Sequence, residues 1–262
     1  MTIEQELLLF AVAVIAGYIN VMAGGGSLLT VPVMLFMGLP APVANGTNRI
    51  AILSQCLVSG AVFMRKGLSE LKLSLTLGLA ALPGALAGAL LGVRLHGVWF
   101  NRLLAGIMFA VMLAMLFERK PQKPPMLAES FLDQTSHPLF KTKPKRLVLT
   151  HFLMVLVGFY GGLIQVGVGF LIMPILYRVS GLDLLRVNMH KVFLVVPFTI
   201  LSFLIYAHQV DIDWTAGIFL ALGMGLGGWL GTHMMIRKGE TIIKIVFNLV
   251  LIVFIIRLLF FH

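Results

Sequence analysis

The chain has 262 residues, 59% of them hydrophobic and 11% charged, where a soluble domain carries about 25% charged residues. Long apolar runs in such a composition exclude a soluble α/β core and indicate an integral membrane protein. The formal charge of +10 does not indicate nucleic acid, because most of the 20 Lys/Arg sit in short loops and one linker, where the positive-inside rule puts them.

The single cysteine, Cys56, allows no disulfide within the chain. The start carries Glu4 and Glu6 and no basic residue. A cleavable signal needs a positive start, so the first apolar run is read as part of the mature protein.

That first run spans Leu7 to Ala23 and ends on Gly24-Gly25-Gly26. A short run, Leu28 to Met37, follows with Pro32 inside it. Ten helical residues rise roughly 15 Å, half the hydrocarbon core, so this arm is a half-helix or part of a re-entrant hairpin. Leu39-Pro40-Ala41-Pro42 is a turn. The third run, Asn45 to Met64, is long enough to span and closes on Arg65-Lys66-Gly67. The fourth, Leu71 to Leu95, holds Pro83 and the series Gly84, Gly88, Gly92. The fifth is Trp99 to Phe117.

Residues 118–146 form the linker, with five prolines, seven Lys/Arg and three Asp/Glu, which should be solvated and partly disordered. The sixth run, Leu147 to Ile164, ends on Gln165-Val166-Gly167-Val168-Gly169. The seventh, Phe170 to Val179, is short again and contains Pro174. The eighth is Val187 to Ala207. An acidic loop with Asp211 and Asp213 leads to the ninth, Trp214 to Ile236, with Gly223, Gly227 and Gly231. The tenth is Thr241 to Phe261.

Gly25 maps to Gly167, Pro32 to Pro174 and Arg49 to Lys191, all at a spacing of 142 residues. The chain is thus expected to be an all-α polytopic membrane protein built from two repeats, 1–117 and 147–262, joined by a basic cytoplasmic linker. Each repeat has five segments, four long and one short, so hydropathy counts about eight spans. An odd number per half inverts the second half. With the N-terminus outside and each short arm folding back, Arg65-Lys66, the linker and Arg237-Lys238 all fall inside. If each long-short pair were one broken helix crossing once, one of the Arg-Lys loops would lie outside.

The chemistry is expected around the two breaks. No Asp or Glu lies deep in any run, yet Arg49 and Lys191 each stand near the start of one. A buried cation is costly unless paired, and a cation at a helix N-terminus opposes the dipole. The candidate counter-charge is a bound anion; the alternative is snorkelling to the interface, as expected for Arg178 and Arg257. Gly24, Gly25 and Gly26 expose backbone N–H groups before a half-helix, which suits an anion, and Ser27 adds a hydroxyl. Gly167 and Gly169 do the same in the second half. The alternative is that both breaks are tight hairpin turns needing glycine for packing alone. Thr47 and Asn48 beside Arg49, and Asn188 and His190 beside Lys191, complete the candidate substrate site or act as interhelical glue. His190 could couple transport to protons. The two Gly-x-x-x-Gly series read as helix packing.

At these residues the chain resembles the TauE/SafE family, the sulfite exporter-like membrane transporters. The resemblance rests on Ala23-Gly-Gly-Gly-Ser-Leu-Leu-Thr-Val-Pro32, on Gly38-Leu-Pro-x-Pro-Val-Ala44, on Gly46-Thr47-Asn48-Arg49 and on Asn188-x-His-Lys-Val192. It covers nearly the whole chain apart from the linker. Departures are Ser27 where a fourth glycine is common, Arg49 where the family often has Lys, and the thinned second glycine motif. The resemblance implies transport of small sulfur-containing anions such as sulfite or sulfonates across a bacterial-type plasma membrane.

The expected activity is secondary transport by alternating access, with no cofactor, no metal and no catalysis. The expected partners are a small anion, the lipid bilayer, a coupling ion (H+ or Na+) and, as one option, a second copy of the chain. A passive anion channel or a membrane sensor or scaffold would use the same composition. Saturable, gradient-coupled flux separates a transporter from both.

Overall fold

The computed structural model describes residues 2–95, 97–116 and 144–237. It is all-helical over these residues. The helices are α1 (Ile3–Ala23), α2 (Ser27–Phe36), α3 (Ala41–Arg65), α4 (Leu71–Gly92), α5 (Gly97–Leu116), α6 (Pro144–Leu163), α7 (Val168–Pro174), α8 (Leu184–Gln209) and α9 (Trp214–Arg237). A π-helical turn, Ile175–Val179, extends α7. Six of these helices, α1, α3, α4, α6, α8 and α9, are long and apolar enough to cross a membrane. The tenth run and most of the linker lie outside the described residues.

Local chemistry sets the ends. Thr2 and Gln5 form a reciprocal capping box at the start of α1. Asp183 accepts from the Arg186 N–H to start α8, and Asp213 from the Ala216 N–H to start α9. α1 stops at Gly24, whose φ of 83° is left-handed and accessible to glycine without strain. After this break α2 turns back on α1: a side chain at Gly26 would overlap the Ala16 carbonyl and Asn20. α2 has 10 residues, the length expected of a short arm. The second break passes through Gln165 at φ 55° and Gly167 at φ 69° before α7.

The glycine series set the packing between the two parts of the chain. Gly223, Gly227 and Gly231 of α9 meet the backbone of Phe10, Val14 and Tyr18 in turn, so α1 and α9 run parallel in close contact. Gly84, Gly88 and Gly92 of α4 meet Val155, Phe159 and Leu163, so α4 and α6 are parallel too. Without water to drive burial, small residues let backbones approach and gain dispersion contact. The helix-packing reading of both series is what the structure shows.

α3 and α8 run antiparallel at the centre. Asn45, near the start of α3, donates to the Tyr206 hydroxyl near the end of α8 at 2.8 Å. Further along, Gly60 of α3 meets Val192 and Phe193 near the start of α8. Outward faces of α4 and α9, including Leu79, Leu90, Leu222 and Leu226, are exposed and apolar, as lipid contact requires.

Candidate functional site

The two breaks touch. Gly24 and Gly169 lie backbone to backbone, and a Cβ on either would overlap the other. The Gly167 N–H donates to Ser27 Oγ at 3.2 Å, tying the second break to the first. Ser27 keeps its own proton to donate. The Gly26 N–H goes to Asn20 Oδ1 at 3.2 Å. Two of the amides expected to face an anion are therefore already given to side chains. Asn20 in turn donates to Gln55 Oε1 at 2.6 Å, fixing its orientation.

Arg49 is fully buried. Its Nη1 donates to the Gly161 carbonyl at 3.1 Å and to Gln165 Oε1 at 2.7 Å, and its Nη2 to the Gly162 carbonyl at 2.6 Å. The guanidinium lies 4.3 Å from the centre of the Tyr206 ring. Lys191 donates from Nζ to the Asn20 carbonyl at 3.0 Å, the Val21 carbonyl at 2.9 Å and Asn188 Oδ1 at 2.6 Å. Each cation stands near the start of its own helix. Its long side chain, however, delivers the charge to the C-terminal end of a helix from the opposite part of the chain. Those last-turn carbonyls carry the negative end of the dipole; the Asn20 carbonyl also accepts from the Gly24 N–H at 2.9 Å. The dipole objection raised by the sequence is thus removed by reach.

The cations do not share one pocket. Gly60 of α3 lies against Val192 and Phe193, so Lys191 stands about eleven residues along α3 from Arg49, roughly 16 Å at helical rise. Each pairs with the opposite break, and the touching glycines lie between.

The remaining expected residues divide. Thr47 Oγ1 accepts from the Asp213 N–H at 3.2 Å, at the α8–α9 turn. Asn48 Oδ1 accepts from Thr30 at 2.6 Å, and its Nδ2, like Arg49 Nε, is buried with no partner among the described residues. His190 turns away from both breaks, toward α4. Its Nδ1 lies 2.8 Å from Ser74 Oγ, and its Nε2 lies 3.1 Å from Glu70 Oε2. Among the described residues no group of three or more His, Cys, Asp or Glu could hold a metal ion.

A family model described as "Sulfite exporter TauE/SafE" matches residues 9–258. The chain belongs to this family. A probable membrane transporter protein of Sinorhizobium sp is 32% identical over 251 residues, covering 96% of this chain and 91% of the relative. A probable membrane transporter protein of Haemophilus influenzae is 28% identical over 242 residues, covering 92% and 89%. The probable membrane transporter protein YfcA of Escherichia coli K12 is 24% identical, covering 90% and 82%. No solved structure matches. The TauE/SafE chain is thus a multi-pass membrane protein whose relatives are named as transporters.

In this TauE/SafE chain the structure adds residues that sequence reasoning passed over. Gln165 and Tyr206 hold the Arg49 guanidinium, Asn20 links α1 to α3 through the first break, and Glu70 and Ser74 enclose His190. One signal was available. Glu70 is an acidic residue in an otherwise basic loop, close after Arg65-Lys66.

Proposed function

We propose that the chain is a secondary transporter of small anions, with sulfite or a sulfonate as the cargo, working by alternating access in the plasma membrane. One observation carries the anion reading. Arg49 Nε and Asn48 Nδ2, on adjacent and fully buried residues, have no hydrogen-bond partner among the described residues. A buried unsatisfied donor costs about 1–3 kcal/mol, and a bound oxyanion would satisfy such a donor. The proposed binding residues are Gly24, Gly25, Ser27, Asn48 and Arg49, with Gly167 and Gly169 closing the second break. Asn188 and Lys191 serve the opposite face of that contact.

The packing supports two inverted halves. α3 and α8 hold equivalent places in the sequence plan and run antiparallel. The parallel pairs α1 with α9 and α4 with α6 exchange under the same operation. A single broken crossing in each half would make α3 and α8 parallel. With hairpins, the positive-inside rule favours an outside N-terminus and a cytoplasmic linker at residues 118–146. The Gly24–Gly169 contact then serves as the pivot on which the halves rock.

A second reading has its own support. Arg49 and Lys191 each already hold three oxygen acceptors, so both could be staples of the breaks and nothing more. Uptake of radiolabelled sulfite, sulfate and methanesulfonate into proteoliposomes decides, with Arg49→Gln and Lys191→Gln alongside. Saturable uptake of at least one anion, lost in Arg49→Gln, supports the transporter. If Arg49→Gln is less heat-stable yet carries the anion at the wild-type rate, the guanidinium is a staple.

A further inference from the structure

We infer that His190, Glu70 and Ser74 form a proton-binding site that couples anion movement to a proton gradient; this rests on the transporter reading above. The three residues join α8 to the start of α4. His190 and Ser74 are fully buried, and the Glu70 side chain is 10% exposed. Glu70 and Ser74 are four residues apart, hence on one face of the helix start, and His190 inserts between them.

The Ser74–His190 hydrogen bond and the close His190–Glu70 contact give this cluster two states that differ by one proton. Ser74 has one hydroxyl proton and two acceptors in reach: the Glu70 carbonyl at 3.0 Å and His190 Nδ1 at 2.8 Å. When the Ser74 proton points to the Glu70 carbonyl, Ser74 Oγ must accept, so Nδ1 carries a proton. Nε2 then lies 3.1 Å from Glu70 Oε2, outside hydrogen-bond geometry and with no other hydrogen-bond partner for either atom among the described residues, and two buried lone pairs that close repel unless one of the two groups carries a proton. Imidazole and carboxylate together therefore hold two protons. When the Ser74 hydroxyl turns to Nδ1, that nitrogen is the acceptor, and only the Nε2 proton remains, beside the Glu70 carboxylate. Exchange between the two states takes the Ser74 hydroxyl rotation together with the gain or loss of one proton from water. A purely structural histidine held between fixed carbonyls would have one satisfied state.

The surrounding charges leave room for both states. From α8, Arg186 lies 3.9 Å from Glu70 Oε1 and 3.5 Å from Asp183 Oδ2, so Glu70 keeps a cation near it when His190 is neutral. Lys191 sends its ammonium to the end of α1. Arg65 and Lys66 at the end of α3, and Lys72 on α4, are exposed. Glu70 is the least buried member, although both its carboxylate oxygens are buried and its exposed surface is on the rest of the side chain. Because His190 precedes Lys191 in α8, gain or loss of its proton acts on the helix that holds the first break.

The test is radiolabelled sulfite uptake into proteoliposomes of the full chain, with and without an imposed pH gradient, read as the ratio of the two rates in one preparation. A variant that inserts poorly lowers both rates and leaves the ratio intact. Wild type should give a ratio of about ten or more, and His190→Gln and Glu70→Gln should both bring it to about one. A ratio that survives in both variants overturns the site, as does a wild-type ratio of one with robust sulfite exchange. Wild type that moves neither sulfite, sulfate nor methanesulfonate in either arm overturns the anion reading and the coupling with it.

Discussion

Lys191 donates its ammonium from α8 to the Val21 carbonyl at the end of α1, at 2.9 Å. The Asn20 carbonyl and Asn188 Oδ1 complete a three-oxygen nest around the same nitrogen. In transporters with broken helices, the exposed C-terminal carbonyls are where Na+ binds. Here a tethered cation occupies that place.

Transport should therefore proceed without sodium. Replacing Na+ by N-methylglucamine on both sides should leave wild-type uptake unchanged. Lys191→Met leaves the nest without its cation and should lower thermal stability in detergent by about 1–3 kcal/mol. Added Na+ should restore part of that loss in the variant and none in wild type. A wild-type rate that rises with sodium would contradict the assignment.

Arg49 tolerates one substitution and not others. Lys at this position retains the charge for the α6 carbonyls but loses the planar fork and the ring contact with Tyr206. That contact is worth roughly 0.5–2 kcal/mol. Arg49→Lys should keep uptake within about threefold of wild type while lowering thermal stability by about 1 kcal/mol. Arg49→Gln should abolish uptake, because the Gly161 and Gly162 carbonyls and the Asn48 site all lose their charge partner. Uptake assays beside thermal unfolding separate the two outcomes.

Much of this architecture was legible in the residues. Apolar run lengths, the 142-residue spacing and the two glycine series led to the helices, the short arms and the close helix pairs. The destinations of the cations were not legible. Arg49 is fixed by Gly161, Gly162 and Gln165, more than a hundred residues away, and Lys191 by Asn20 and Val21. Main-chain carbonyls leave no trace in side-chain chemistry, so the lack of acidic residues within the apolar runs pointed to the cargo alone. Glu70 lies one residue outside α4, beyond any apolar run, and still comes within 3.1 Å of a buried histidine.

The glycine contact between the breaks should be intolerant of a single methyl group. Gly24 is left-handed, which costs a non-glycine residue about 1–2 kcal/mol, and its Cβ would overlap Gly169. Gly24→Ala should lose both folding yield and uptake. Gly169→Ala meets only the overlap and should be the milder of the two. Gly38→Ala is the control, being left-handed with open space around it: it should cost stability alone. Fluorescence-detected size exclusion and uptake on the same samples would show the order. Equal behaviour of Gly24→Ala and Gly38→Ala would remove the contact from the mechanism.

Antiparallel packing of α3 and α8 fixes a topological outcome that labelling can read. The start of α3 meets the end of α8 through Asn45 and Tyr206, so Arg65 and Val210 lie at opposite ends of the bundle. Arg178 belongs with Arg65, because Glu70 after α3 meets Arg186 and His190 just beyond the α7 arm. In a Cys56→Ser background, Arg65→Cys and Arg178→Cys should react with an impermeant maleimide from the cytoplasmic side. Val210→Cys should react only from outside. Buried Cys56 makes its replacement a small packing change, worth checking by uptake first. Labelling of positions 65 and 210 from one side would make α3 and α8 parallel in the membrane. That result would replace the hairpins by single broken crossings and remove the inverted relation between the halves.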